Sequence, residues 1–423
     1  MSTTQPEHQP FVLVSTDGHA GADIQGYRPY LEARWHDEFD TWAAGFSDAW
    51  GDVDPDPEYK AGVSSFLSPI SWDSTLRQDL LDGQGVAAEV LFPNTAQPFY
   101  PTGTLTSPPP RSVEEYERRW AGVRAHNRWL VDFCAEVPGR RLGLVQLFTN
   151  DVDAAIAEVR WAKAAGLKGV LLPPDHHLGI QNLYYPELEP LWATCAELDM
   201  PMHRHSTTPN SDDGGPTVAA AARAIGVHES YYFGRRALFQ LVLAGVFERH
   251  PSLTFILTEV GGAAWVPREL NAMDRLVKGA EEDGTINSLF AAEAASALSK
   301  LPSEYFHDNC FVSSLLAAGE VRKRQEIGID SLLWGNDFPH HEGTAPYTLE
   351  TLRATFAGVP EDEIRQLTSL NAACAYDLDL AFLQTVADRI GPTPAQVAEP
   401  LRAEEVPDDP NFRWLTSAVA RTS

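Results

Sequence analysis

A chain of 423 residues that is 43% hydrophobic can bury a large core, as one big domain with additions or as two, and cannot be disordered throughout. Thirty-two basic against 59 acidic residues leave a formal charge of −27, which argues against a nucleic-acid partner or an anionic membrane surface. Cys134, Cys195, Cys310 and Cys374 are scattered without a C-x-x-C pair, so neither a disulfide framework nor a thiolate metal cage is expected. The polar Met1–Gln9 stretch lacks a cationic n-region and the apolar run Phe11–Val14 is too short for a signal peptide or a membrane span, which makes a reducing cytoplasm the expected location.

In chain order, residues 11–19 (FVLVSTDGH) predict a buried strand whose last residues turn polar, with Asp17 and His19 on one face because they are two apart. Residues 20 to 80 carry many aromatics, Pro55-Asp-Pro57 and little periodicity, and are expected to form an insertion with some helix that caps the mouth of the fold. Val86 to Pro93 predicts a second strand, 101–110 a rigid loop, and Ser112-x-x-Glu115 a capping box that opens a helix through Cys134. From there strands and helices alternate. A strand over 141–148 is followed by a helix over 151–165, with Val152, Ile156 and Val159 on one face. Next come a strand over 166–174, a helix over 186–198 and a short strand over 200–205. A polar loop over 206–222 precedes a helix over 231–248, a strand over 253–262 and a helix over 267–278. Strands over 309–314 and 331–337 bring the number to eight, and helices over 349–357 and 360–370 follow. This alternation predicts an α/β fold, an eight-fold β/α barrel over 1–378, with a C-terminal appendage over 379–423 as a candidate oligomer contact.

Several of these strands end in groups with ligand chemistry: Asp17 and His19, His203 and His205, Glu259, and Asp337. The C-terminal strand ends of a β/α barrel share one mouth, and imidazole together with carboxylate suits zinc, manganese or iron. Asp17, His19 and Asp337 are therefore expected metal ligands. His205 is preferred to His203 as the direct imidazole ligand, with His203 a second ligand or an acid/base, since both share a face. Glu259 is either a further ligand or substrate contact, or a partner that fixes a histidine tautomer. His340 is preferred to His341 as a functional residue, while His176, His177 and His228 fit a rim. The chain contains no G-x-S-x-G, H-E-x-x-H, Walker lysine loop or G-x-G-x-x-G opening a helix, so serine hydrolase, zincin, NTPase and Rossmann readings fall away.

Thr16-Asp17-Gly-His19, Pro201-Met-His-Arg-His205, residues 258–267 leading to Met273-Asp274, and Gly335-Asn-Asp337-Phe-Pro-His340 resemble, in order and spacing, the amidohydrolase-2 branch of the amidohydrolase superfamily. That branch includes aminocarboxymuconate-semialdehyde decarboxylase and the hydroxybenzoate decarboxylases. The resemblance spans residues 11–378 and implies a distorted (β/α)8 TIM barrel, with one divalent cation (Zn, Mn or Fe) held by Asp17, His19, His205 and Asp337. Where many relatives begin with H-x-H, this chain has Asp17-x-His19, and His203 is an additional imidazole.

The expected function is that of a metal-dependent enzyme acting by hydrolysis or non-oxidative decarboxylation on a small carboxylated or amide-bearing molecule. In hydrolysis Asp337 would take a proton from the attacking water; in decarboxylation His203 or Asp337 would handle a proton at carbon, with His340 nearby. The surplus of ligand groups keeps a second reading open, a two-ion iron or manganese oxygenase that uses O2. A third is a barrel subunit that supports a catalytic homologue, so that homodimers and hetero-oligomers are both expected partners.

Overall fold

The computed structural model describes residues 9–47, 69–102, 110, 112–173, 182–206, 220–282 and 286–416. Eight parallel strands follow one another in both sheet order and chain order: β1 (Leu13–Ala20), β2 (Val86–Pro93), β3 (Arg141–Gln146), β4 (Gly169–Leu171), β5 (Met202–Arg204), β6 (Phe255–Thr258), β7 (Cys310–Ser314) and β8 (Leu332–Trp334). Parallel neighbours require a crossover, and helices supply it here, which is the expected (β/α)8 barrel. The return from β8 to β1 is made beyond the end of β8. There Gly18 bridges Phe338, the Asp337 N–H donates to the Asp17 carbonyl at 2.8 Å, and the His19 N–H donates to the Phe338 carbonyl at 2.7 Å.

Small polar side chains complete this seam. The Ser15 hydroxyl donates to Asn336 Oδ1 at 2.7 Å and accepts the Asn336 N–H at 3.0 Å, while the Thr16 hydroxyl donates to the Trp334 carbonyl at 3.0 Å. Below them the barrel interior is apolar. Val12, Val14, Ala88, Val90, Leu142, Leu144, Ile256 and Leu333 form one buried cluster, joined by Tyr376, Leu383 and Val386 from the C-terminal helices. Val, Ile and Leu on alternate strand positions fill such layers because they pack a pleated surface without polar atoms.

The structure differs from the sequence reading in four places. Within the stretch expected as an insertion, the helix Ser74–Gly83 is the barrel's own crossover into β2, N-capped by Asp73, whose carboxylate accepts the Thr75 and Leu76 N–H groups. Its pattern is obscured because Arg77, nominally a surface residue, is fully buried beside Leu81. The helix expected over 231–248 begins at Ala220 and ends at Leu243, where Gly245 at φ +68° breaks it before the short helix Val246–Arg249. Helices Ile286–Ser296 and Pro302–Asn309 occupy a stretch for which no element is expected. Finally, the helical run that starts at Glu361 passes through a π turn over Gln366–Leu370 and continues to Tyr376.

The expected polar loop over 206–222 and the Asp175-His176-His177 segment fall largely or wholly outside the described residues. The described part of the appendage is seated on its own barrel: Arg353 donates to the Glu399 and Pro400 carbonyls and pairs with Glu405 at 3.0 Å. No helix among the described residues is long and apolar enough to cross a membrane.

Among the described residues, His126 is one of two buried imidazoles, with His203, expected to weaken the fold in acid. His126, on the helix Val113–Ala135, is fully buried with its Nδ1 3.0 Å from the Tyr27 hydroxyl, and burial pushes its pKa down to about 3. An exposed histidine takes a proton near pH 6.5, so between about 6.5 and 3 only the unfolded chain binds this one. Stability from this group is complete above that window and lost as pH falls through it, with a slope of up to about 1.4 kcal/mol per pH unit. His126→Asn, which keeps a polar atom toward Tyr27, is expected to flatten the acid limb by roughly that slope, as measured by urea unfolding from about pH 4 to 7.

Candidate metal centre

The seam that closes the barrel also builds the site. The ladder between β1 and β2 slips between Ser15 and Gly18, around Asp17, and the two residues Asp17 and His19 point into the mouth together. Asp337 lies just past β8 with φ +54°, and Glu259 lies just past β6 with the same φ. The left-handed region costs a non-glycine residue about 1–2 kcal/mol, so both carboxylates are aimed by a backbone that local preference alone would not select. Gly335 completes the approach. A Cβ at that position would stand 2.5 Å from the Asp17 Cβ, so only glycine lets β8 come this close to the carboxylate of β1.

The polar atoms converge at short range. His19 Nε2 is 3.3 Å from Asp17 Oδ1 and 3.2 Å from Asp337 Oδ1, and His205 Nε2 is 3.5 Å from Asp17 Oδ1. Asp17, His19 and Asp337 are all but inaccessible to solvent, at 2%, 3% and 1% exposure. Asp17 Oδ1, His19 Nε2, His205 Nε2 and both Asp337 carboxylate oxygens are nevertheless buried without a hydrogen-bond partner among the described residues. Buried polar atoms are normally satisfied, and orphans that face one another call for a missing partner. The ligand atoms of Asp17, His19 and His205 all lie within 4.8 Å of one another, a set that can close on a divalent cation, while Asp337 reaches the set through His19.

A second set of ligand atoms within reach of each other joins His19, Asp337 and His340. His340 Nδ1 is 2.9 Å from Asp337 Oδ1, its Nε2 is 3.1 Å from Asn94 Oδ1, and its ring stacks on His19 at 3.9 Å. Charge explains the titration of this cluster. Burial opposes a charged imidazole at His19, yet Asp17 and Asp337 outweigh it and push the group up to about 10. Burial likewise opposes ionisation of Asp337, but His340 and His19 hold it below the usual carboxylate range. Glu259 is raised well above that range by burial and by the charges of Asp337 and Asp17. The pair Asp17 and Asp337 therefore demands one positive charge between them, a proton or a metal ion.

Among the other candidates, Glu259 Oε2 lies 3.2 Å from His205 Nε2 and accepts the Ser206 hydroxyl at 3.2 Å, but joins neither ligand set. His203 shares the inward face of β5 with His205, as expected, yet sits in the layer below: it is wholly buried, its ring parallel to Tyr376 at 5.6 Å, and burial pushes it down to about 3. His203 also joins neither set. His341 is outside both sets and His228 is exposed on its helix, while His176 and His177 lie outside the described residues. Sequence reasoning missed Ser15, which bonds the Asp17 backbone, its partner Asn336, and Asn94, which bonds His340. Only the adjacency of Ser15 and Asn336 to ligand positions could have drawn attention to them.

Gly335→Ala is expected to force β8 from β1 and destabilise the metal-free protein by about 1–3 kcal/mol in urea unfolding, the usual cost of overfilling a packed site. A neutral substitution would mean that the seam is looser than these distances imply.

Comparison with known proteins agrees with this architecture. The amidohydrolase family profile matches residues 92–378. The gamma-resorcylate decarboxylase of Rhodococcus jostii (strain RHA1) is 25% identical over 347 residues, 76% of this chain and 96% of that protein. Among solved structures, a manganese-bound 5-carboxyvanillate decarboxylase variant from Novosphingobium aromaticivorans DSM 12444 superposes with a TM-score of 0.61 at 18% identity, covering 89% of this chain and all of that one. A 2,6-dihydroxybenzoate decarboxylase complexed with 2,6-dihydroxybenzoate gives a TM-score of 0.56 at 20% identity, over 88% of this chain and all of that one. With the profile covering more than half of its length, this chain belongs to the amidohydrolase family, and the relatives named above are decarboxylases.

Proposed function

We propose that this protein is a non-oxidative decarboxylase of a small hydroxylated aromatic carboxylate, using one divalent ion, with manganese favoured. The observation that carries the reading is the meeting of Asp17 Oδ1, His19 Nε2 and His205 Nε2 as buried atoms without a hydrogen-bond partner among the described residues, with Asp337 Oδ1 3.2 Å from His19 Nε2. The choice of reaction is supported by the decarboxylases among the relatives, and the choice of metal by the manganese of the carboxyvanillate and dihydroxybenzoic acid enzymes. Asp17, His19 and His205 would hold the ion, which would supply the positive charge that a substrate carboxylate needs.

The chain's own residues do the rest. Asp337, ionised at rest, takes a proton from His340 and passes it through its second oxygen, free of any partner among the described residues, to the ring carbon that bears the carboxylate. The carbon–carboxylate bond then breaks, its electron pair returns to the ring, and CO2 leaves. His340 stands 2.9 Å from Asp337, and Asn94 orients its ring from the far side. Phe92 packs against His205 at 4.8 Å and against His19 at 5.7 Å, an apolar wall that limits water around these groups. His203, neutral beneath them, serves as floor.

A second reading, an O2-dependent oxygenase with two ions, is favoured by the surplus of ligand groups, with Asp337 and His340 lying beside the set Asp17, His19 and His205. Elemental analysis separates the two: one ion per chain supports the decarboxylase, and two redox-active ions with oxygen uptake support the oxygenase.

On the proposed reading, metal-free protein reloaded with manganese releases CO2 from hydroxybenzoates, and Asp337→Asn lowers that rate by on the order of 10²–10⁴-fold while manganese still raises the melting temperature. His205→Ala is expected to abolish most of the thermal stabilisation by manganese, which amounts to about 2.7 kcal/mol at a hundredfold excess over Kd in the unsubstituted protein. Release of an amine or alcohol from amide or ester substrates, with no CO2, would turn the assignment to hydrolysis.

A further inference from the structure

Behind the two ligand-bearing strands lies an ion pair that the chemistry above does not use. Arg77 and Glu89 are 0% and 1% exposed and are joined by two parallel bonds, Nε to Oε1 at 2.9 Å and Nη2 to Oε2 at 2.7 Å. A buried pair of this kind is a poor device for stability, because the cost of desolvating both charges cancels most of their attraction and well-packed apolar residues usually serve as well or better. Its contacts point to another use. The Arg77 guanidinium stacks on the ring of Phe338 at 4.8 Å and directs Nη2 toward the Phe338 carbonyl at 3.5 Å, the same oxygen that accepts the His19 N–H at 2.7 Å. Glu89 Oε2 rests against Gly18, where a Cβ would come within 3.0 Å of it. The pair thus touches the residue between Asp17 and His19 on one side and the residue after Asp337 on the other.

We propose that the Arg77–Glu89 pair is the positioning element of the metal centre: it presses the Phe338 segment against β1 so that Asp337 and His19 stand at ion-sharing distance. A point charge would not do this. The planar fork engages both carboxylate oxygens while its face lies on the phenyl ring, which a lysine cannot reproduce. The remaining bond of Arg77, Nη1 to the Ile70 carbonyl at 3.2 Å, ties the same group to the turn that precedes its helix. Arg141, 3.8 Å from Glu89, is anchored independently by the Ser74 hydroxyl and the Phe133 carbonyl, and keeps those partners if Glu89 is replaced.

The inference rests on the proposed metal centre, and its test reads metal binding and stability, not turnover. Full-length metal-free protein, Arg77→Lys, and the double variant Arg77→Met with Glu89→Leu are titrated with manganese, with free Mn2+ followed by electron paramagnetic resonance. Cobalt absorption spectra report the coordination geometry, and urea unfolding of the metal-free proteins reports the fold. The expected result is that the double variant unfolds at or above the unsubstituted midpoint yet binds manganese about 10–100-fold more weakly, with Arg77→Lys in between and an altered cobalt spectrum in both. Unchanged affinity and spectrum in the variants, or a loss of affinity that only follows a loss of stability, overturns the proposal. Should the double variant fail to fold, Arg77→Lys decides alone, and unchanged manganese affinity in it overturns the proposal. Failure of the unsubstituted protein to take up manganese or cobalt would instead overturn the metal centre itself.

Discussion

Two carboxylates buried side by side cannot both be charged unless something positive lies between them, and in this protein that constraint falls on Asp17 and Asp337. Each is almost fully withdrawn from water, and His19 Nε2 sits within 3.3 Å of one and 3.2 Å of the other. In a medium of low effective dielectric the repulsion of such a pair is far larger than at a surface, and so is its attraction for a cation. The two acids belong to the first and last strands of the barrel, 320 residues apart in sequence. The site is therefore a junction, and its electrostatics and the closure of the barrel are one problem.

The solution uses the same few bonds for both purposes. β8 is short, and its sheet pairing with β1 is confined to the bridge at Gly18 and Phe338, immediately after the carboxylate that turns into the mouth. Backbone bonds from Asp337 to Asp17 and from His19 to Phe338, with Ser15 and Asn336 bonded to each other alongside, hold the two strands where a longer ladder would otherwise be needed. The cost is visible in the left-handed backbone of Asp337 and in the lack of room for any side chain at Gly335. Strain of this kind persists only where surroundings over-determine it, and here the surroundings include a buried ion pair pressed against the seam.

Depth sorts the imidazoles by role. His205, at the edge of the mouth and 18% exposed in its side chain, reaches Asp17 and Glu259. His203, two residues earlier on the same face, falls one layer lower among Phe92, Tyr376 and the apolar interior, where burial keeps it neutral. The same residue type on the same strand thus gives a ligand candidate and a floor. The difference is a single repeat of the pleat.

The sequence alone determined the barrel and named the candidate ligands, because both are written in local terms. Strand and helix periodicities alternate along the chain, and the polar residues that stop an apolar run mark the mouth at Asp17, His19, His205 and Asp337. It was silent where the deciding partner is remote. The helix Ser74–Gly83 was unreadable because Arg77 is buried against a residue 261 positions away, and Ser15 gained meaning only through Asn336, 321 positions away. Which imidazole stands beside Asp17 at the mouth and which lies under it, and which acid turns inward from a strained backbone, were decided by tertiary structure. Periodicity specifies a face, but the depth of a residue along the barrel axis is set by the packing of all eight strands together.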